Sequence, residues 1–423
     1  MRNQETPDPT RAPQATPTPS RPGPARRFRI SSLVWSVYAP SFLLTLATGF
    51  LLPTLPRFAS SLGAGIGLVG LVIAAVAIGA MAADVPAGIF VQRVGRKPAM
   101  IVAVSGIALA AVAGGLSPNL PTLLATRLLH GAFHAVWGVS RHAYLADVVP
   151  NRQRGRALSL FGGLSRTGSF ISPVVGGYIG QYAGLRWPFF AEAAIATVTV
   201  GLILVAVRET GDGLAFRIQR PAYAGILSTL TRHRRDFATA GLFAVCLGFI
   251  RTARQTLIPL VGEAIGLPVG DVGLILTVSS GVDMTLFIPA GYVMDRLGRK
   301  WANLPCVLFM SAGVALIPLA TGFAPLMFAS AVLGFGDGLG AGAMLTLGAD
   351  LAPEDDTAQF LGVWHLISDS GRAIGPAVIG QIGQAASLGA AGLATAGIGL
   401  AGAAVLVLLV PETLAGRRRV RRA

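Results

Sequence analysis

Long apolar runs dominate the chain, and polar or charged clusters interrupt them at short intervals. A helix needs roughly 20 largely apolar residues to cross a bilayer. Runs of that kind, separated by glycine, proline or charged residues, start near positions 31, 68, 98, 121, 157, 186, 237, 271, 300, 325, 358 and 387. The pattern predicts an all-α membrane protein with twelve transmembrane helices, which we call helices 1 to 12.

The pattern occurs twice, because one offset of 203 residues aligns the two halves of the chain without a gap. Matched pairs include Pro56 with Pro259, Gly63 with Gly266, Pro86 with Pro289, the two lysines Lys97 and Lys300, and Gln181 with Gln384. Two six-helix halves of the same orientation are one of the repeat architectures of secondary transporters, which bind substrate near the midplane where the halves meet.

The repeat and the composition divide the chain into five regions. Residues 1–29 are rich in Pro, Thr and Arg and have no apolar stretch, which predicts a disordered tail. Residues 30–210 form the N-terminal six-helix half, and residues 237–411 form the C-terminal half. Residues 211–236 are the linker between them, and residues 412–423 are a basic tail.

Composition supports the membrane assignment, with 53% hydrophobic residues, 13% charged residues and a mean hydropathy of +0.64. The net charge of +15 could indicate nucleic-acid binding, but the basic residues cluster in alternate loops. By the positive-inside rule, both termini and the central linker are cytoplasmic. The bilayer is therefore the expected partner, and nucleic acid is not. Cys246 and Cys306 fall inside spans and are expected to be buried thiols.

The loops after helices 2 and 8 carry the same glycine-rich basic motif. Its first glycine allows close helix approach, its second turns the chain past a helix end, and its basic residues anchor the loop to water and headgroups. The motif residues are Gly88, Arg93, Gly95, Arg96 and Lys97 in the first copy, and Gly291, Asp295, Arg296, Gly298, Arg299 and Lys300 in the second.

Three acidic side chains are expected to interact with the basic residues of these loops. Asp295 lies at a helix C-terminus, where the helix dipole disfavours it, so it needs a partner such as a nearby arginine. Asp147 and Asp350 end helices 4 and 10 and are expected to reach Arg96 and Arg299 as loop anchors. The alternative for both is a solvated helix cap.

The motif resembles the loop signature of the major facilitator superfamily, with Gln92 where the family usually has Asp. Helix 4, with Arg127 and His130, resembles the family motif whose arginine is linked to proton coupling. Helix 5 resembles the Gly-Pro motif of the exporters, and helix 11 carries a counterpart. The expected hinge residues are Gly168, Pro173, Gly176, Gly177, Gly371, Gly375, Pro376 and Gly380.

This resemblance covers residues 30–415 and is to the twelve-helix drug:proton antiporter branch. It implies a monomeric transporter that exports a small amphipathic compound by alternating access, driven by a proton gradient without a cofactor. We expect no catalytic residue and no metal site. The abundance of Arg, Ala and Gly suggests a GC-rich bacterial gene, so the expected location is a bacterial plasma membrane.

Ionisable side chains inside a span are costly unless they are paired or hydrated, so each is a functional candidate. In the family arrangement, helices 1, 4, 7 and 10 line the cavity. Candidates for the substrate and proton pathway are Arg127, His130, His134 and Trp137 on one face of helix 4, Arg251 and Arg254 on helix 7, and Asp337 on helix 10.

We hypothesise that Asp337 and the two histidines exchange protons at the midplane, while the arginines keep that carboxylate ionised or bind an anionic group. His titrates near neutral pH, which suits this role. Three arginines against one aspartate favour a neutral or anionic substrate. The alternative is a permanent salt bridge between Asp337 and Arg251 that holds the halves together.

A second group of charges lies on helices that face each other across the halves in this family. Its members are Asp84, Arg166, Asp283, His365, Asp369 and Arg372. The expected contacts are Asp84 opposite Asp369 and Arg372, and Arg166 opposite Asp283. These would be inner-gate pairs that break when the protein opens inward, or else static interhelical pairs.

Other functions remain open. Within transport, the rival is uptake or facilitated diffusion of a small metabolite. Outside transport, the chain could be a membrane-embedded receptor, although no soluble signalling domain is attached. No nucleophile elbow, metal-ligand cluster or phosphate-binding loop occurs in the sequence, so an enzyme is not expected.

Overall fold

The computed structural model describes residues 33–150, 153–210, 228–353 and 357–412. The predicted tail 1–29, residues 211–227 of the predicted linker and residues 413–423 of the basic tail lie outside these ranges. The described residues form helices and no strand, so the all-α prediction holds for them.

We number the helical stretches α1 to α12, keep one number across a kink or short turn, and leave out a short helical turn before Arg234. The bounds are Val34–Tyr38, Ala39–Gly49 and Leu55–Ser61 for α1, Ile66–Val94 for α2, Arg96–Gly115 for α3, Leu120–Val148 for α4, Arg154–Tyr182 for α5, Trp187–Ala206 for α6, Arg234–Ala264 for α7, Val269–Arg296 for α8, Arg299–Leu319 for α9, Phe323–Leu351 for α10, Thr357–Ala385 for α11 and Leu388–Leu408 for α12.

Eight of these stretches in the described ranges have the length and apolar composition to cross a membrane, namely α2, α3, α6, α7, α8, α9, α10 and α12. The other four fall short in length or in apolar composition. The first, α1, is divided into short pieces, and α4, α5 and α11 carry polar side chains such as Arg127, Arg166 and Asp369. The stretches that are least apolar are those that hold most of the candidate charges.

Helix packing follows the sequence repeat. In the first half, α2 and α3 pack on α4, α3 packs on α6, and α1 packs on α5 and α6. Each of these contacts has a counterpart six helices later. In the second half, α8 and α9 pack on α10, α9 packs on α12, and α7 packs on α11 and α12. Separate clusters of buried apolar side chains fill each half, for example around Met100 in the first and Met310 in the second.

The halves meet through two equivalent helix pairs, α2 with α11 and α5 with α8. Each pair approaches most closely near the ends of α2 and α8 that lie far from the loop motifs. There Gly70 lies against the Pro376 carbonyl and Gly273 against the Pro173 carbonyl, with no room for a Cβ atom on either glycine. We call this side of the molecule the opposite end, and the side with the loop motifs the motif end.

The same helices separate at the motif end. A Cβ atom added to Gly88 or Gly291 would have no neighbour within 4 Å. The expectation that these glycines allow close helix approach is therefore wrong for this conformation, because α2 and α11, and likewise α5 and α8, diverge before reaching them.

Candidate functional site

Arg251, Arg254 and Asp283 form a cluster of charges around Asp337 on α10. Its two carboxylate oxygens accept hydrogen bonds from Arg251 Nε and Arg254 Nη2 of α7, each at 2.8 Å. Arg254 Nη1 also lies 3.7 Å from Asp283 Oδ2 on α8. The two arginines are three residues apart, so they share one face of the helix. Asp337 is 9% exposed, and its charge is met by two guanidinium groups.

This cluster reaches the first half through α5. Arg166 Nη1 donates to Asp283 Oδ1 at 3.1 Å, which is the contact expected between these helices. Asp337 and Arg251 lie in the same half, so the alternative that their salt bridge holds the halves together is wrong. Among the residues that the structure describes, the ion pair that joins the halves is Arg166 with Asp283.

A cavity of about 550 Å³ lies between α2, α4 and α11. Its ionisable lining consists of Asp84, His134, His142, Asp369 and Arg372. Asp369 and Arg372 are 3.7 Å apart on α11, and Asp84 is close enough to Asp369 for the two carboxylates to repel each other. The expected juxtaposition of α2 with the charged stripe of α11 is therefore present. His365 is exposed on α11 and is not among the cavity residues.

Only one of the four α4 candidates lines that cavity. His134 faces it together with Gly138 and His142, at spacings of four residues. Trp137 is 1% exposed and packs inside the first half, with the Arg141 guanidinium 5.5 Å from its ring centre. The spacing of these residues places them on one face of α4. It does not identify the helix that each of them contacts.

The other two α4 candidates also point into the first half. His130 Nε2 lies 2.8 Å from Glu192 Oε1 on α6, and Arg127 is buried beside this pair. The expectation that all seven pathway residues meet at the midplane is therefore wrong, because Arg127 and His130 belong to a separate buried cluster. Glu192 is not among the predicted site residues. Helical spacing does not show that α4 and α6 both pack against α3, which brings Glu192 within reach of His130.

These positions change the expected charge of the cavity lining. Arg251 and Arg254 are held by aspartates, and Arg127 is buried near Glu192. The cavity itself carries two carboxylates and one guanidinium from Asp84, Asp369 and Arg372. The expectation of a neutral or anionic substrate assumed three arginines in the cavity. None of those three lines it, and the one arginine that does, Arg372, lies beside Asp369.

The loop motifs are built alike in both halves. Arg96 lies 3.0 Å from Asp147, and Arg299 lies 2.8 Å from Asp350. Glu209 accepts from the backbone N–H groups of Arg96 and Lys97, at 3.1 and 3.0 Å. Its repeat equivalent, Glu412, accepts from Arg299 and Lys300, both at 3.0 Å.

These two glutamates were not among the predicted site residues, although they match at the repeat offset. Each caps the start of α3 or α9, where free N–H groups attract negative charge. The chain enters these helices through Gly95 and Gly298, whose φ angles of 94° and 117° favour glycine. Asp295 has Arg299 as its nearby arginine, at 3.6 Å.

The remaining motif residues sit at helix contacts or on the surface. Arg296 lies with its guanidinium 4.1 Å from the Tyr292 ring centre, and Arg93 is exposed at the end of α2.

The glycines expected in hinges are close-packing points. Gly168 and Gly176 touch α1, Gly371 and Gly375 touch α7, and Gly177 and Gly380 touch the other half.

The opposite end is closed by equivalent contacts. Gln181 Oε1, at the end of α5, accepts from the Gly270 backbone N–H at 3.0 Å. Gln384 Oε1, at the end of α11, accepts from the Gly67 backbone N–H at 3.4 Å. Arg57 adds a hydrogen bond to the Leu267 carbonyl at 3.3 Å. The molecule is therefore closed at the opposite end, while its halves diverge at the motif end.

Comparison with known proteins agrees with this architecture. A family model described as the Major Facilitator Superfamily matches residues 40–253 and again residues 240–423. The multi-drug resistance efflux pump PmrA of Streptococcus pneumoniae is 27% identical over 386 residues, covering 84% of this chain and 91% of the relative. Multidrug resistance protein 2 of Bacillus subtilis is 25% identical over 273 residues, covering 63% and 68%.

Solved structures show the same fold at lower identity. A D-xylose-proton symporter aligns with a TM-score of 0.72 and 17% identity over 91% of this chain and 98% of that chain. The nucleoside transporter NupG aligns with a TM-score of 0.75 and 14% identity over 90% and 100%. The chain therefore belongs to the major facilitator superfamily, as its motifs indicated, and is a multi-pass protein of the bacterial plasma membrane.

Proposed function

We propose that this transporter exports a small amphipathic compound from the cytoplasm in exchange for protons, by alternating access. In this proposal all twelve helical stretches cross the membrane as one monomer and both termini are cytoplasmic, so the motif end faces the cytoplasm. Multidrug efflux relatives at 25% and 27% identity support the export of drugs.

The observation that carries the proposal is the cavity between α2, α4 and α11. It lies where the halves diverge, while the glutamine contacts close the far side. A compound from the cytoplasm would reach the cavity and meet methyl groups together with the charges of Asp84, Asp369 and Arg372. This lining favours an amphipath without net negative charge.

The change of state requires the halves to rock about a contact near mid-height. Arg166 and Asp283 lie near the middle of α5 and α8, so their ion pair suits the pivot of this motion. The pair is formed although the motif end is open, in contrast to the expectation that it breaks in this state. We therefore assign it a pivot role and assign the Asp84 side of the cavity to the inner gate.

Asp337 is the proposed proton carrier of the second half. Protonation would neutralise its carboxylate and weaken its hydrogen bonds to Arg251 and Arg254, which are charge-assisted. The released guanidinium groups would change how α7 and α10 pack near the midplane. Proton binding would thereby favour one arrangement of the halves over the other, which is the requirement for coupling.

Export can be tested by growth inhibition in a pump-deficient bacterial host across a panel of dyes, antibiotics and organic acids, with and without a proton uncoupler. Expression should raise resistance to some compounds, and the uncoupler should raise their accumulation in expressing cells. The alternative, uptake of a small metabolite, would instead sensitise the host or support growth on the transported compound. A membrane receptor would change neither.

A further inference from the structure

The buried pair of His130 and Glu192 is not part of the cavity or of the Asp337 cluster. Nε2 of His130 lies 2.8 Å from Oε1 of Glu192, and the side chains are 2% and 0% exposed. Arg127, on the same face of α4, is 6% exposed and near Glu192. Burying such groups is expensive, so a chain keeps them in a span when they have a use.

Three atoms of this cluster have no hydrogen-bond partner among the described residues. They are His130 Nδ1, Glu192 Oε2 and Arg127 Nε, each almost completely shielded from solvent. Buried polar atoms in native proteins are generally satisfied, so an unsatisfied group calls for a specific explanation. Two of the three, Glu192 Oε2 and His130 Nδ1, belong to groups that can bind or release a proton, so the cluster can serve as a proton site.

The repeat supplies an internal control for a purely structural role. The equivalents of Arg127, His130 and Glu192 in the second half are Ser330, Leu333 and Thr395. All three are fully buried, and Ser330 and Thr395 satisfy their hydroxyls on backbone carbonyls. The same helix packing is thus achieved without any charge, so the fold does not require an ionisable cluster at this level.

The cluster has one ionisable connection to the cavity. The His134 ring stacks on the His130 ring with 6.4 Å between centroids and 15° between planes, and His134 lines the cavity. The other elements around the pair add no charge at this level. On α1 the described ionisable residues are Tyr38 and Arg57, near its two ends, and on α3 they are Arg96 and Lys97 at the motif end. On α2, which also packs against α4, they are Asp84 at the cavity, where it faces His134, and Arg93 at the motif end.

The cluster also lies nearer the opposite end than the cavity does. Glu192 is five residues into α6 and Arg127 seven residues into α4, so both lie about 10 Å or less from that end at 1.5 Å per residue. His134 is about 20 Å from it by the same rise. The groups therefore descend from the far side of the membrane towards the cavity in the order Glu192, His130, His134.

We propose that Glu192 and His130 form the proton-binding site of the first half, and that His134 passes the proton between this site and the cavity. This rests on the proposed proton-coupled export. A proton arriving from the opposite end converts the Glu192 carboxylate to a carboxylic acid. It then moves through His130 to His134, where cavity water accepts it, and Glu192 returns to its ionised form.

One test needs no transport substrate. Infrared difference spectra of the purified protein in nanodiscs are recorded as pH is lowered, in an Asp337→Asn background that removes the other buried proton carrier. They should show the carbonyl stretch of one remaining buried protonated carboxylic acid, that of Glu192. Glu192→Gln should remove that band, whereas Asp271→Asn, which removes a carboxylate at the start of α8, should leave it in place. An unchanged band in Glu192→Gln overturns the proposal.

A second test uses proteoliposomes with ethidium as the probe. Glu192→Gln should reduce accumulation driven by a pH gradient by about tenfold, a coupling loss of about 1.4 kcal/mol, and should preserve ethidium exchange without a gradient. His130→Gln keeps a hydrogen-bonding group without a titratable ring and should give the same split. Gradient-driven accumulation at the wild-type level in Glu192→Gln overturns the proposal.

The repeat provides a variant that guards against misfolding. The triple variant Arg127→Ser, His130→Leu and Glu192→Thr copies the buried residues of the second half and should fold. It should exchange ethidium but no longer accumulate it against a gradient, and full coupling in this variant would also overturn the proposal. Failure of the wild type to move ethidium would count against the proposed export, while the infrared result would still decide the proton site.

Discussion

Arg166 on α5 and Asp283 on α8 form a 3.1 Å ion pair that joins the two halves near the middle of both helices. Asp283 also lies 3.7 Å from Arg254, so the pair connects the first half to the Asp337 cluster of the second. A change in the protonation of Asp337 can therefore affect the contact between the halves through Arg254.

Exchanging the charges of this pair tests whether the contact matters. Arg166→Asp and Asp283→Arg should each reduce transport strongly, because each places like charges together near mid-membrane. The double variant should recover part of the loss, because the swap restores the pair but places a second guanidinium group beside Arg254. The expected coupling energy in the double-mutant cycle is about 1–3 kcal/mol. Arg208→Asp, an exposed arginine beyond α6, is the control. Absence of recovery in the double variant would rule out a functional contact.

Asp337→Asn should abolish proton-driven transport but leave insertion into the membrane intact. The amide keeps the shape of the side chain but cannot cycle between charged and neutral forms. Transport driven by a pH gradient should fall by about tenfold or more, which corresponds to about 1.4 kcal/mol or more. Vesicle transport assays at matched expression measure this, and Asp271→Asn is the control. Coupled transport at the wild-type rate would show that Asp337 is not the carrier.

The glutamine contacts at the opposite end should stabilise the present conformation. Each hydrogen bond contributes about 1 kcal/mol, so Gln181→Leu or Gln384→Leu should shift the balance towards the alternative state about fivefold. Spin labels on Ser61 and Asp271 would report the separation of the halves at this end by pulsed electron resonance.

The double variant Gln181→Leu and Gln384→Leu should then populate longer distances more than either single variant, because the contacts are separate. Gln255→Leu, at an exposed position on α7, is the matched control. Identical distance distributions in all variants would show that these contacts do not hold the end closed.

The glutamate caps should contribute to stability. Glu209→Gln and Glu412→Gln each remove a negative charge from two backbone N–H groups at a helix start. Each change should lower the free energy of unfolding by about 1 kcal/mol, within the range for charges at helix termini. Thermal melting of the purified protein measures the loss, with Asp236→Asn as the control, a half-exposed carboxylate at the same end that makes no cap hydrogen bond. Equal melting temperatures would contradict the capping role.

Much of this architecture could be predicted from the sequence, because the repeat constrains many positions at once. The offset identified both loop motifs and the glutamines that turned out to close the opposite end. The contact of Arg166 with Asp283 followed from the helix arrangement that the family resemblance implied.

The rest of the candidate site could not be predicted, because the spacing of residues along one helix does not determine which other helices pack against it. The stripe of Arg127, His130, His134 and Trp137 is real, but neighbouring helices cover its members differently along α4. His130 meets Glu192, and His134 meets the cavity. The spacing of Gly88 and Gly291 likewise indicated close contact, yet whether they have a neighbour depends on which end of the molecule is open.

The central claim is proton-coupled export, and accumulation in inside-out membrane vesicles tests it most directly. The probe is a compound to which expression confers resistance, and the vesicle lumen is made acidic. We predict accumulation that requires the transporter and collapses when the pH gradient is dissipated. Accumulation that persists without the gradient, or movement of the compound out of the vesicles when the gradient is imposed, would contradict the account.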